Sequence, residues 1–219
     1  PATNEAATAE WRLTVKDPDE RKCRAISTGL NDLALASIPG FYGLAGNAFA
    51  SPFGVHTSGL VPAEVVPQHV VQLGGPRTVV ESTAPESDTV VEAPATDSVE
   101  VPGGETRRAP IGLVAGARSG DKGGNANLGV FARSAEAYAW LESLLSEDTL
   151  RELLPEAADL VIERHPRPNI WSINFLIHGI VQEGVAASTR QDGQAKSLGE
   201  WLRARHVDIP VSLLESADR

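Results

Sequence analysis

The strongest constraint on the fold is a glycine-rich segment at 118–127, which reads RSGDKGGNAN and separates two short apolar runs at 111–117 and 128–132. Glycine permits positive φ angles and close backbone approach, and Asn and Asp tolerate turn conformations. The pattern predicts two strands joined by a tight loop whose amides and cationic side chains could hold a small anion. The same residues are typical of an ordinary hairpin turn, so a structural role is the alternative.

Charge and cysteine content exclude several classes of function. The chain has 219 residues, with 19 Lys and Arg against 29 Asp and Glu, a formal net charge of −10 that argues against nucleic acid and anionic membranes as partners. No apolar run reaches the roughly 18 residues of a membrane span, and the first ten residues lack the pattern of a signal peptide. Cys23 is the single cysteine, so no internal disulfide is expected. These features favour a cytoplasmic protein.

Residues 82–105 form the clearest change in composition. They are rich in Pro, Ser, Thr, Val and acidic residues and contain no Lys or Arg. Such a segment cannot bury enough apolar area to offset its ordering entropy, so it is predicted to be a linker or long loop. The chain is thereby divided into an N-terminal part at 1–81 and a C-terminal part at 106–219.

The N-terminal part is predicted to be mostly β or irregular, with a thin core. Alternation favours a strand at 11–16, and 17–19 is typical of a turn that could start a helix. Residues 29–36 fit either a strand or a short helix. Val65 to Leu73 reads as a strand, which Pro67 would place at a sheet edge.

The C-terminal part is predicted to be an α+β domain, with an antiparallel sheet and helices on one face. Ser134 and Ser146 are predicted to cap two helices, the second of which ends at Pro155. The alternation from Trp171 to His178 predicts a strand whose apolar, core-facing side carries Trp171, Ile173, Phe175 and Ile177, with Ser172, Asn174 and His178 on the other side. The other expected elements are strands at 111–115, 128–132, 159–164 and 207–213 and a helix at 195–205.

Two polar clusters are candidates for one ligand site, the glycine-rich segment and the residues before the last helix. Arg118 can donate two parallel hydrogen bonds to a carboxylate or phosphate, and a helix starting near Ala195 would offer free amides to an anion. The alternative is an internal ion-pair network that joins Asp121 to Arg190, and Asp192 to Arg118 or Lys122. The predicted ligand-binding residues are Arg118, Gly120, Lys122, Gly123, Gly124, Asn125, Asn127, Arg190, Asp192 and Lys196.

Catalytic groups are less well defined by the sequence, with Asp121, Lys122 and His178 as the candidates. His178 shares the polar face of its predicted strand with Asn174, so it could act as a base with Asn174 as a donor; a half-solvated strand end is the alternative. Cys23 lies between two basic residues but has no partner histidine placed by the sequence. The five histidines lack metal-ligand spacing, so no metal and no cofactor are predicted.

The sequence of residues 117–130 resembles the signature of the C-terminal ferredoxin-like domain of the acyclic terpene utilisation (AtuA) proteins. The resemblance continues at 169–175 and 188–199, so it covers about 106–205 in order and spacing. Segments 16–19 and 33–41 resemble the late part of the large N-terminal domain of that family. Residues 1–81 are therefore expected to be the end of a larger α/β domain.

The resemblance implies a role in the breakdown of acyclic terpenoid or branched acyl-CoA compounds, with the glycine-rich segment binding an anionic ligand or a CoA group. A CoA thioester or a carboxylate is then the expected ligand. The family's long N-terminal α/β region has no counterpart here, so a second chain carrying it, or a homo-oligomer, is the expected partner. The alternative is a non-catalytic assembly module that docks a separate catalytic chain, and whether this chain is itself an enzyme stays open.

Overall fold

The computed structural model describes residues 2–36, 41–42, 50–81 and 99–217. Within these ranges every buried apolar side chain lies between Ala109 and Leu214. The core therefore belongs to the C-terminal part, in agreement with the thin core expected before it. The division at 81 and 106 stays a prediction, and residues 82–98 of the expected linker lie outside the described residues.

The N-terminal part contains more helix than its sequence pattern predicted. A short helix, α1 (Asn4–Ala7), is followed by the longer α2 (Glu20–Ala36), so residues 29–36 are helical. The expected strand at 11–16 is not formed: Trp11 and Leu13 lie beside the α2 residues Ala25, Ile26 and Leu30 and pair with no strand in the described ranges.

A small exposed hairpin follows α2. Its strands β1 (Gln68–Val71) and β2 (Arg77–Val80) pair antiparallel and have no buried residue. The strand expected from Val65 to Leu73 is thus shorter than predicted, because a 3₁₀ turn occupies Ala63–Val65 and Pro67 precedes the first ladder residue.

A four-stranded antiparallel sheet dominates the C-terminal part, and its strand order is β4-β5-β7-β6. The strands are β4 (Ala115–Lys122), β5 (Asn125–Ala132), β6 (Ile162–Arg167) and β7 (Ser172–Ile177). A separate two-stranded sheet pairs β3 (Thr106–Pro110) with β8 (His206–Pro210). Because β5 and β6 are both antiparallel to β7, they run in the same direction and form a split β-α-β unit.

The helices of this part are α3 (Ala135–Leu144), α4 (Glu147–Leu153), α5 (Leu198–Arg203) and α6 (Val211–Ala217). Both predicted caps are confirmed: Ser134 Oγ accepts a hydrogen bond from the amide of Ala137 at 3.2 Å, and Ser146 Oγ accepts one from Thr149 at 3.0 Å. The α+β class, with helices on one face of an antiparallel sheet, is confirmed too, since α3 packs on β5 and α5 packs on β4. None of the helices in the described ranges has the length and apolarity of a bilayer span.

Several boundaries differ from the sequence prediction for local reasons. Ile111–Leu113 is a 3₁₀ turn, so the strand expected at 111–115 starts only at Ala115. Trp171 closes another 3₁₀ turn with φ 49° and is 43% exposed, so its expected place on the buried face is wrong. The helix predicted at 195–205 is α5, which begins only at Leu198; Ala195 has φ 52°, which a right-handed helix cannot accommodate.

Two other expected elements are shifted along the chain. The strand predicted at 159–164 is β6, and four residues separate its start at Ile162 from a 3₁₀ turn at Pro155–Ala157. The edge strand predicted at 207–213 is β8, and it ends where α6 begins.

Candidate functional site

The glycine-rich segment is mostly strand and not the tight loop that its composition suggested. β4 and β5 pair from Ala115↔Ala132 to Lys122↔Asn125, which leaves only Gly123 and Gly124 as the turn. Small residues on the helix-facing side of β4 allow α5 to pack closely on this strand, with Gly199 next to Ala117. The expected cradle of free loop amides is therefore not formed by this segment.

The two-residue turn packs against a later loop, residues 179–196. Gly123 has φ 64°, and a Cβ on Gly124 would overlap the carbonyl oxygen of Gln182. The amide of Val181 donates to the Gly124 carbonyl at 3.0 Å, and the amide of Gly179 donates to Asn125 Oδ1 at 3.0 Å. These contacts give Gly123, Gly124 and Asn125 a structural role at the end of the sheet.

The residues before α5 also serve the structure of this loop. Asp192 accepts hydrogen bonds from the amides of Lys196 and Ser197, both at 2.8 Å, and from Ser197 Oγ at 2.6 Å. Partial burial alone would raise the pKa of Asp192, but these hydrogen bonds and the charge of Arg190 outweigh it and lower the pKa. The amides before α5 that were expected to receive an anion are therefore taken by Asp192.

The ion pairs proposed as the structural alternative are not formed among the described residues. Arg190 instead donates to Glu156 Oε2 at 2.9 Å, and its side chain is only 15% exposed. Asp121 lies on the opposite side of β4 from Lys122, and its amide donates to the Gln194 carbonyl at 2.9 Å.

One face of the four-stranded sheet carries no helix from the described residues, and we call it the open face. Side chains alternate along each strand, so every second residue lies on this face and the residues between them point toward α3 and α5. Apart from Gly120, its residues are exposed or half-buried. They are Gly116, Arg118, Gly120 and Lys122 of β4; Asn125, Asn127, Gly129 and Phe131 of β5; Glu163, His165 and Arg167 of β6; and Ser172, Asn174 and Leu176 of β7, followed by His178.

Cross-strand pairing places these residues in rows across the sheet. One row runs Arg118, Gly129, Asn174, His165. The next row runs Gly120, Asn127, Leu176, Glu163. Since neighbouring strands are about 4.8 Å apart, Arg118 and His165 are separated by about 14 Å at their Cα atoms.

Three cations line the β4 edge of the open face. Arg118 and Lys122 project from β4 itself, and Lys196 Nζ lies 3.0 Å from the position that a Cβ on Gly120 would occupy. Lys122 Nζ donates to the Asp121 carbonyl at 3.0 Å. Over the part of the chain that the structure describes, none of the three forms an ion pair, so their charge is available to a ligand.

A carboxylate and two imidazoles form a second cluster at the far side of the open face. Glu163 Oε1 is 2.7 Å from His178 Nε2, and Glu163 Oε2 is 3.2 Å from His165 Nε2. The hydrogen bond from His178 is the largest cause that lowers the pKa of Glu163, and His165 adds to it. Sequence reasoning paired His178 with Asn174 and missed Glu163 and His165; the alternating polar residues of β6 were the available signal.

The remaining candidates carry no comparable arrangement. Cys23 Sγ donates weakly to the Asp17 carbonyl at 3.6 Å. No group of three or more His, Cys, Asp or Glu in the described ranges could hold a metal ion.

Comparison with known proteins gives one match. Residues 109–208 match the family model of the AtuA ferredoxin-like domain. The matched residues include the whole open face and the loop at 179–196. The resemblance stated for the C-terminal part is thereby confirmed. No curated protein and no solved structure matches the chain.

Proposed function

Because residues 109–208 are an AtuA ferredoxin-like domain, we propose that the chain is a cytoplasmic component of an AtuA-like protein that acts in the catabolism of acyclic terpenoid or branched acyl-CoA compounds. The open face is the proposed site, and it binds an anionic group of the ligand. The observation that carries this proposal is a set of three cations, Arg118, Lys122 and Lys196, that form no ion pair with any described residue in a chain of net charge −10.

The β4 edge suits a phosphate or carboxylate for geometric reasons. Arg118 and Gly120 are two residues apart on one strand, so their Cα atoms are about 6.6 Å apart. The Arg118 guanidinium and the Lys196 ammonium above Gly120 can therefore approach the same anion. Gly129, next to Arg118 in its row, has no side chain to occupy the surface between Arg118 and Asn174. A guanidinium binds carboxylate and phosphate oxygens through paired donors.

An apolar surface lies beside these cations on the same face. The Phe131 ring covers Gly116, where a Cβ would overlap it, and Phe131 is 42% exposed. Phe131 pairs with Gly116, two residues before Arg118 on β4. An apolar part of the ligand close to its anionic group would contact both surfaces.

Calorimetry with the full chain tests the proposal. Isovaleryl-CoA, CoA and isovalerate are titrated separately, so that CoA recognition and carboxylate recognition are distinguished. Arg118→Ala and Lys196→Ala each remove a charged donor and are expected to weaken binding roughly 10- to 100-fold. Arg107→Ala, an exposed arginine of β3, is the matched control. Binding that is unchanged in both open-face variants would contradict the proposal.

A second candidate is a non-catalytic assembly module that docks a catalytic chain or a second copy of itself. The observation in its favour is the set of large apolar side chains exposed before residue 82, with Trp11 67%, Leu60 104% and Leu73 107% exposed. Exposed apolar surface of this kind often marks an interface. Leu60→Ser and Leu73→Ser are expected to reduce association in sedimentation experiments, with CoA-ester binding unchanged. If Arg118→Ala lowers association but leaves CoA-ester binding unchanged, the result favours this second function.

A further inference from the structure

The Glu163, His165 and His178 cluster has a defined hydrogen-bonding polarity. An ionised carboxylate only accepts hydrogen bonds, so both facing Nε2 atoms, at 3.2 Å for His165 and 2.7 Å for His178, carry hydrogen. In a neutral imidazole the other ring nitrogen, Nδ1, then has the free lone pair. The Glu163 carboxylate thus holds both histidines in the Nε2–H tautomer, in which Nδ1 can accept a proton.

The two imidazoles are accessible from solvent and share the face that carries the proposed anion site. The side chains of His165 and His178 are 41% and 36% exposed. His165 lies in the same cross-strand row as Arg118, with Gly129 and Asn174 between them. A ligand held by its anionic group at the β4 edge therefore extends across Gly129 toward Asn174 and the histidines.

We propose that His165 and His178 form a proton-transfer site on the open face, with Glu163 as the positioning residue, and that they remove a proton from the carbon next to the carbonyl of a bound thioester. This inference rests on the proposed acyl-CoA function. A C–H bond breaks, an Nδ1–H bond forms, and the electron pair moves to the thioester oxygen as an enolate. The Asn174 amide, in the row of His165, is placed to donate a hydrogen bond to that oxygen. Return of a solvent proton regenerates the thioester, so no oxidant or reductant is needed.

Deuterium exchange tests this step with the full chain. Isovaleryl-CoA is incubated with the protein in D2O, and deuterium at the carbon next to the carbonyl is measured by mass spectrometry. Because a positioned base contributes roughly 100-fold or more to such a step, His165→Asn or His178→Asn is expected to lower the exchange rate at least tenfold. Calorimetric affinity is expected to change less than threefold. His206→Asn, an exposed histidine of β8, is the control.

The role of Glu163 has its own readout. Nitrogen-15 NMR of the neutral histidines is expected to show the Nε2–H form for both rings, and a mixture of tautomers after Glu163→Gln. Glu163→Gln is also expected to slow exchange about tenfold, while Glu163→Asp restores part of the rate.

The two proposals fail in different ways. A protein that binds isovaleryl-CoA but exchanges no hydrogen overturns the proton-transfer step and leaves the anion site standing. An Nδ1–H tautomer in either ring overturns the positioning by Glu163. A protein that binds none of the three compounds overturns the acyl-CoA function, and this inference with it.

Discussion

Replacing Gly124 by alanine gives the sharpest test of how the glycine-rich turn is held. The added Cβ would overlap the carbonyl oxygen of Gln182, a backbone atom that cannot rotate away as a side chain would. The loop at 179–196 must therefore move off the turn. Two hydrogen bonds are lost with that movement: from the Val181 amide to Gly124, and from the Gly179 amide to Asn125 Oδ1.

The expected cost follows from these contacts. Each lost hydrogen bond contributes about 1 kcal/mol, and forcing an extra carbon into a packed site costs about 1–3 kcal/mol. Because the loop can relax, the two contributions overlap in part. Gly124→Ala is expected to lower the free energy of unfolding by about 2–4 kcal/mol.

Two neighbouring glycines provide the controls. A Cβ on Gly129 meets only the Arg118 carbonyl at 3.8 Å, an ordinary contact, so Gly129→Ala is expected to change stability by less than about 0.5 kcal/mol. Gly123 has no atom within 4 Å of its Cβ position but has φ 64°. Gly123→Ala is expected to cost about 1–2 kcal/mol, and Gly123→Asn less, since Asn tolerates that conformation.

Urea unfolding followed by tryptophan fluorescence measures all four variants, because Trp140 is buried in the core. Equal m-values are required for the comparison, since they show that the unfolded states are alike. The steric explanation is refuted if Gly124→Ala unfolds within 0.5 kcal/mol of the parent, or if Gly129→Ala is destabilised as much.

The remaining predictions concern ionisable groups. Asp192→Ala removes three hydrogen bonds before α5 and is expected to cost about 1–2 kcal/mol at pH 7 in urea unfolding. Because the pKa of Asp192 is lowered on folding, that difference is present above its ordinary value of 3.8 and shrinks as the pH falls below it. Burial, and then the charge and hydrogen bond of Glu142, raise the pKa of Tyr138 to about 12. An absorbance titration should therefore show one tyrosine with a midpoint near that pH, and a lower midpoint in Glu142→Gln. The stability linked to Tyr138 is complete below about pH 10 and is lost as the pH rises toward 12. His178→Ala removes the main hydrogen bond that lowers the pKa of Glu163, so carbon-13 NMR should show that pKa rising toward its ordinary value.

Local patterns were sufficient to predict much of the C-terminal fold. A serine before an apolar helical repeat satisfies the first free amides of a helix, so Ser134 and Ser146 could be placed from sequence. The alternation at β7 likewise identified Ile173, Phe175 and Ile177 as buried. These features depend on neighbours a few residues apart, which a sequence shows directly.

The predictions that the structure contradicts have a different origin, because they depend on contacts between segments that are distant in the sequence. The sequence around Gly120 is typical of a loop, yet Gly120 pairs with Asn127 within a strand, and Lys196 from the segment after β7 covers it. The alternative to a ligand site paired Arg190 with Asp121, but folding brings Arg190 to Glu156. The Glu163 cluster depends on the register of β6 against β7, which no local pattern determines.

The packing of the 179–196 loop on the β4–β5 turn has a consequence for the order of folding. The two strands of the hairpin are adjacent in the sequence. Asn125 Oδ1, however, accepts a hydrogen bond from an amide 54 positions later, and Ser119 Oγ accepts one from an amide 80 positions later. Closing such long loops carries a large entropic cost before any contact is gained. The hairpin can therefore form early, whereas the contacts that fix its turn form only when the segment after β7 packs against it. In pulsed hydrogen exchange during refolding, the Val181 and Gly199 amides should gain protection after those β5 amides that face β4.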